Sequence, residues 1–535
     1  MKTKAEKKWL LCFTLLVLIF TSIPYVMGFI MQGEAWRYTG FVFGVEDGNS
    51  YIAKMLSGAN GAWLFKTPYT AVPQRGFLGF LPYLLLGKLS LRNMQHASLA
   101  VLFHAFRWLG GFLMIWATYD FVSVFIEDVR YRRWATMVGS IGGGFGWLAV
   151  FGLSGLWSEG LPLEFYSPES FGFLSVYGLP HLACARAFLL WGLGRYLSCR
   201  AGDWKGGLKT SALWLGLSLM QPITVVVGGA LIAWHLLITV VQALSTKSDV
   251  LKRRWREQFG FAVRMAIFPA PIVFYTAWAF TRDPFLSGWS GQNVISSPPF
   301  GDYLLAYGGM LVFAIFGFWK VWQEIDKRNQ WLFLLGWVAI FPVLAYLPFG
   351  VQRRLPEGVW VALSVLAVNG FAALPKKLWR INEIVAVLSV LPACILILGG
   401  VTAVMNISTP LYRPALEVEA FDWLRENGKP EAIVLAAYET SNPLPAWTPQ
   451  RCLVGHGPES VNLDEMNVHV KVFFSDSGTD EARRDLISEF DIAYVVWGPD
   501  EKALGDWKPG SAAYLISEFM NSEYEVFRVL GEGAK

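Results

Sequence analysis

Two acids stand side by side in the stretch Phe43-Gly44-Val45-Glu46-Asp47-Gly48-Asn49-Ser50-Tyr51-Ile52-Ala53-Lys54-Met55. They follow the first long apolar segment, where a membrane helix would meet water, and spanning a bilayer gives no reason for carboxylates there. A carboxylate so placed can act as general base toward an acceptor hydroxyl once burial raises its pKa. Asn49-Ser50-Tyr51 reads as the cap of an amphipathic helix with an apolar face to follow. The blander reading leaves Glu46 and Asp47 as solvated cap residues in the headgroup region.

Three further groupings carry chemistry. Glu164 and Glu169 share a short loop that leads through Leu179-Pro180-His181 to Arg186. An arginine two turns into an apolar helix is expensive, so Arg186 should face a cavity or a partner; His181 reads first as an interfacial histidine. Arg353 and Arg354, followed by Glu357, offer guanidinium forks that match phosphate oxygens, or they snorkel toward lipid headgroups. Lys54, Lys66, Arg75 and Lys88 add positive charge to the loop that holds the paired acids. An acid beside a phosphate-binding base at one interface is what sugar transfer from a lipid phosphate needs.

These residues have to be held by membrane helices. Of 535 residues, 54% are hydrophobic and 16% charged, against roughly 25% charged in soluble domains. Only a bilayer hides that much apolar surface. The 25 Trp and 39 Phe suit interfacial belts and lipid-facing helices. A net charge of +4 spread along the chain argues against nucleic-acid binding. Five cysteines with no CxxC pair argue against a structural zinc site or a disulfide framework.

The apolar segments predict about eleven transmembrane helices, near 9–30, 97–126, 134–154, 178–197, 207–221, 223–243, 260–281, 303–322, 330–348, 358–374 and 381–404. Lysines before the first put the N-terminus in the cytoplasm, and Arg130, Arg132 and Arg133, Lys252 to Arg256, and Lys376 and Lys377 then fall inside. Arg353 and Arg354 are basic yet fall outside. The stretch 78–87 is too short to span and fits an interfacial or re-entrant helix. Gly142-Gly143-Gly144 reads as close helix packing inside the third segment. The domains expected are a membrane domain over 1–405, with a first outer loop at about 31–96, and a small extracytoplasmic α/β domain over 406–535. In the latter, helices are expected at 416–427, ending at 490, and at 511–520, and strands at 432–438, 492–497 and 524–530. The localisation implied is the cell membrane.

The carrying motifs are Glu46-Asp47 with Tyr51 and Lys54, Gly61-Ala62-Trp63, Pro68-Tyr69-Thr70, Gln352-Arg353-Arg354 with Glu357-Gly358, Asn442-Pro443-Leu444-Pro445, and Gly455-His456-Gly457-Pro458-Glu459. With this layout they resemble the GT-C membrane glycosyltransferases, and within them the bacterial group related to protein-mannosyltransferases and aminoarabinose transferases. The resemblance implies a polyprenyl-phosphate sugar donor, membrane lipids as surroundings, and inverting transfer to an acceptor hydroxyl. It implies Asp47 as base, with Glu46 second, and a second-loop acid at Glu169 or Glu164. Donor phosphate contacts map to Arg353 or Arg354, with Lys54 and Arg75 beside them; Tyr51, His181, His456 and Glu459 are candidate acceptor or rim residues. Some branches use a divalent metal, and no metal-ligand cluster stands out in the sequence. The stretch before the second segment departs from better-known members in lacking a Lys-Pro-Pro-Leu type element, which bears on the acceptor. The rival readings are a secondary transporter, with which the Gln221-Pro222 break is compatible, and a non-catalytic sugar- or lipid-binding scaffold.

Overall fold

The computed structural model describes residues 2–90, 96–200, 202–323, 325–373 and 379–530; Lys376 and Lys377 lie outside them. Each of the eleven expected segments carries a helix, but their lengths and compositions differ. Among the described residues, five helices are long and apolar enough to cross a membrane: Lys4–Met31, His96–Val122, Pro222–Ser245, Phe300–Trp322 and Glu383–Met405. A sixth span arises if Asp249–Ala266 and Pro269–Arg282, bent by 57°, count as one. The chain is an integral membrane protein.

The shortfall from eleven has local causes. Pro180–Leu197 carries Arg186 and Arg195, and Val359–Ala372 is apolar but short. The third segment is helical only over Val129–Ile141. It stops because Gly142 turns to extended backbone, and short 3-10 turns at Gly146–Phe151 and Ser154–Leu156 follow. Three successive glycines make helix continuation entropically costly. Gly144 sits so close to the Ala306 carbonyl that a Cβ would lie 1.9 Å from its oxygen. The triplet is thus a chain break with close backbone approach, not part of a continuous helix. The break at Gln221-Pro222 is observed: Pro222 opens its helix at a position where the missing N–H costs nothing. The single helix expected over 260–281 is two, because Pro269 cannot continue the hydrogen-bond ladder from the preceding turn.

The chain forms two compact units. The first comprises Met1–Ile23, Ala105–Ala277 and Ile295–Gly399. Its core collects Phe171, Tyr307, Trp337 and Trp360 among many aliphatic side chains. Phe300–Trp322 packs on Val359–Ala373 through glycines: a Cβ on Gly317 would lie 1.9 Å from the Leu366 oxygen, and one on Gly370 2.1 Å from that of Phe313. Small residues let the two backbones approach, the usual device where lipid removes any hydrophobic drive between helices.

The second unit comprises Pro24–His104, Trp278–Val294 and Gly400–Lys535, so the first-loop residues and the C-terminal segment pack together. Strands β1 (Trp36–Tyr38) and β2 (Tyr412–Pro414) pair antiparallel. Strands β3 (Ile433–Leu435), β4 (Arg451–Cys452), β5 (Ile492–Trp497), β6 (Leu515–Met520) and β7 (Glu525–Val529) form a mixed sheet in the order β4-β3-β5-β7-β6. Helices Ala415–Asn427 and Asp480–Phe490 fall where the apolar spacing puts them. The helix expected over 511–520 is instead β6. Asn521 accepts hydrogen bonds from the backbone of Glu523 and Tyr524, closing a hairpin that pairs β6 with β7, and strand pairing overrides a weak helical preference. The first-loop helix Val45–Ala59 packs on Leu81–Lys88, the short helix expected near 78–87. A Cβ on Gly87 would lie 1.8 Å from the Met55 oxygen, and one on Gly58 2.1 Å from the Leu84 oxygen.

Candidate functional site

The helix carrying the paired acids starts earlier than an Asn49 cap would place it. Gly44, in the left-handed region at φ 54°, precedes Val45, so Glu46 and Asp47 occupy the first turn. Only glycine adopts that geometry cheaply. The two carboxylates face the positive end of the helix dipole. From there the 3.6-residue repeat puts Asp47, Ser50 and Lys54 on one stripe, and that stripe meets the segment 442–460.

Each group on the stripe finds a partner there. Lys54 Nζ lies 2.6 Å from Glu459 Oε1, both side chains being almost fully buried. Ser50 donates to the same oxygen at 2.8 Å and Thr67 to Oε2 at 2.6 Å. The Lys54 ammonium also sits 4.3 Å from the centre of the Phe80 ring. His456 Nε2 lies 3.3 Å from Asp47 Oδ1, the imidazole 6% exposed and the carboxylate 61%. Glu46 accepts from the Gly457 amide at 2.7 Å and from the Tyr438 hydroxyl. Asn49 donates to Asn442, which in turn donates to the Gly455 carbonyl. Ser460 Oγ accepts the amides of Gly455 and His456, both at 3.1 Å, folding the 455–460 turn on itself.

Burial works against the Glu459 charge, but Lys54 and His456 outweigh it and hold the carboxyl below its usual range. Burial likewise disfavours a charged His456, and Glu459 with Asp47 outweighs that and raises its pKa. Lys54, Glu459, His456 and Asp47 thus form a row in which basic and acidic side chains alternate.

Several expectations change. His456 and Glu459, expected at a rim, are buried. Lys54, expected to meet a donor phosphate, spends its ammonium on Glu459 and Ser50 inside the unit. Arg75 is exposed. Tyr51 stacks on Tyr83 with ring centres 4.6 Å apart. Reading the sequence missed Ser50, Thr67, Tyr438 and Asn442 as partners; the signal was the spacing of Asp47, Ser50 and Lys54, which needs polar partners once the helix is buried.

The first unit holds a separate cluster. Arg186 reaches Glu357 at 2.7 Å, the Pro168 carbonyl at 2.7 Å and the Glu169 carbonyl. The Gly358 amide donates to Glu169 at 2.8 Å, and Trp337 Nε1 to the Glu357 carbonyl at 3.0 Å. Arg354 lies 3.6 Å from the Glu169 carboxylate. The Arg353 guanidinium covers the Tyr166 ring at 4.8 Å. Glu164 is buried and accepts the Gly146 amide at 2.7 Å through one oxygen, while the other has no hydrogen-bond partner. Burial pushes its pKa to about 7 against the opposing backbone amides. His181 is half-buried in the first turn after Pro180. Among the described residues no group of three His, Cys, Asp or Glu side chains is arranged to hold a metal ion.

No protein-family model matches the sequence, and no curated protein does. Solved structures do. An Archaeoglobus fulgidus oligosaccharyltransferase, tethered to an acceptor peptide containing the NVT sequon, aligns over 91% of this chain and 69% of its own at 14% identity, with a TM-score of 0.50. The arabinofuranosyltransferase AftD from Mycobacteria aligns over 97% of this chain at 12% identity, with a TM-score of 0.52. The chain spans 40% of that enzyme's length. ArnT from Cupriavidus metallidurans aligns over 96% of this chain and 98% of its own at 15% identity, with a TM-score of 0.49. Over nearly its whole length the chain is structurally similar to GT-C membrane glycosyltransferases. At such identities the likeness concerns the fold alone.

Proposed function

We propose that this chain is a membrane glycosyltransferase that moves a sugar from a polyprenyl-phosphate donor to an extracytoplasmic acceptor hydroxyl. The observation that carries this reading is Asp47. It sits in the first turn of the 45–59 helix, more than half exposed, with the buried His456 imidazole 3.3 Å behind it. Asp47 is exposed rather than buried, so burial is not what equips it as a base; its outward placement beside the imidazole does so, where an acceptor hydroxyl can reach it. Asp47 takes the proton of the acceptor hydroxyl. The oxygen attacks the anomeric carbon from the face opposite the phosphate, the bond from that carbon to the phosphate oxygen breaks, and the lipid phosphate leaves as an anion. Glu46 is engaged by Tyr438 and Gly457 and serves the reading better as a brace than as the base.

In the first unit, Arg353 and Arg354 remain the proposed phosphate-binding residues, on the chemistry of their guanidinium groups. Guanidinium donors aimed at charge that grows in the transition state lower the barrier. Glu169 holds Arg354 in place, and the buried Glu164 supports the turn beside Gly146. With the acid side taken as extracytoplasmic, the N-terminus lies in the cytoplasm and the C-terminal domain outside.

The test is release of polyprenyl phosphate by the full chain in proteoliposomes, with a panel of radiolabelled polyprenyl-phosphate monosaccharides and membrane-extract acceptors. Asp47→Asn is expected to lower turnover by about 10²–10⁴ while donor still binds. Unchanged turnover in Asp47→Asn would remove the proposal, and uptake of a labelled solute without phosphate release would favour a transporter.

A further inference from the structure

Resting on the reading of Asp47 as base, we propose that His456 is its positioning residue, with Glu459, itself held by Lys54, as the second carboxylate beside that imidazole. The geometry is a row of contacts from the interior to the surface. Lys54 and Glu459 meet at 2.6 Å in a place with almost no solvent, and Asp47 meets His456 at 3.3 Å where the carboxylate emerges. Glu459 stands three residues after His456 in one turn, which Ser460 closes by accepting the amides of Gly455 and His456. Both side chains therefore point back at the same helix, toward positions seven residues apart.

The groups that face His456 from the packed elements are few. Asp47 and Lys54 come from the 45–59 helix, Glu459 from its own turn, and the Tyr69 ring stands 5.3 Å away. Glu46 lies on the same turn of the helix as Asp47 but gives its carboxylate to Gly457 and Tyr438. Near the imidazole, negative charge from Asp47 and Glu459 outweighs the single Lys54. A neutral imidazole in this place would offer its two carboxylate neighbours no charge, Glu459 keeping Lys54, Ser50 and Thr67. A cationic one attracts the exposed carboxylate across the 3.3 Å contact.

Such a residue has a signature separate from turnover. The chain has six histidines, so the full protein in nanodiscs, labelled with ¹³C-histidine, gives a small set of imidazole resonances, and His456→Gln identifies the one that matters. That resonance is expected to titrate above the ordinary histidine value. Asp47→Asn and Glu459→Gln should each lower its midpoint by about one pH unit, the usual effect of losing an adjacent opposite charge. Because Glu459→Gln strands a buried ammonium, Lys54→Met/Glu459→Gln provides a second route, and its midpoint should also fall below that of the native chain. A midpoint at or below the ordinary value, or one that neither Asp47→Asn nor the double variant moves, overturns the proposal. The base reading is judged independently. Loss of turnover in Asp47→Asn with an unmoved imidazole keeps the base and discards the positioning role. A coupled imidazole with undiminished turnover leaves an ion pair but discards the base, and the positioning role with it.

Discussion

Removing either member of the buried Lys54 and Glu459 pair should destabilise the second unit far more than removing both. At 2.6 Å, the gross attraction is about 6 kcal/mol at an effective dielectric of 20. Most of it offsets the loss of water around two ions, so the pair's net worth is small, while an orphaned partner is costly at about 3–5 kcal/mol. Lys54→Met leaves Glu459 with Ser50, Thr67 and His456, and should fall at the low end of that range. Glu459→Gln leaves the ammonium with Ser50 and the aromatic rings of Tyr51, Phe65 and Phe80 but no counter-charge in contact, and should fall at the high end. The double variant Lys54→Met/Glu459→Gln buries no ion at either position and should cost about 1–2 kcal/mol. At about 2 °C per kcal/mol for a large unit, the single variants should melt about 6–10 °C below the native chain and the double only about 2–4 °C below it. The assay is the apparent melting temperature of the purified full chain in one detergent. If the double variant drops by the sum of the two singles, the groups are not coupled and the charge row described above does not exist.

Three further outcomes follow from packing and burial. Gly87→Val should prevent recovery of monodisperse protein, because its Cβ would lie 1.8 Å from the Met55 oxygen and 2.9 Å from the Ala59 nitrogen, backbone atoms with no room to move. Gly229→Ala, within Pro222–Ser245 and with nothing within 4 Å of the new Cβ, should melt at or slightly above the native temperature, since alanine favours the helix; size-exclusion chromatography and melting check both. Glu164 has an ordinary pKa of 4.5 raised to about 7 by burial. The fold thus prefers its protonated form, and its stabilising contribution is full below about 4.5 and lost as pH climbs to 7 and beyond. Glu164→Gln should therefore gain on the native chain by about 3 kcal/mol between pH 4.5 and pH 8; equal pH dependence of the two melting curves would refute the raised pKa.

Helix positions were legible because periodicity and length are local properties. The boundaries of Pro180–Leu197, Pro222–Ser245 and Phe300–Trp322 match the apolar runs within a few residues. Chain breaks were less legible where glycines decide them. Gly142-Gly143-Gly144 fits close packing as a sequence, and only the approach of the Ala306 carbonyl shows that the helix has already ended. The β6 strand was misread because Leu515-Ile516-Ser517-Glu518-Phe519-Met520 has no decisive period, and its partner β7 determines its state.

The sequence alone established a membrane chain with acids placed where no bilayer helix needs them, because burial of apolar surface and the cost of charge act residue by residue. What tertiary structure decided is which charges neutralise each other. Asp47 and His456 are 409 positions apart, and so distant a pair leaves no periodic trace. Only the folded second unit could show that Lys54 turns inward to Glu459, since a lysine on an amphipathic helix has the same local pattern whether it meets a phosphate or a buried carboxylate.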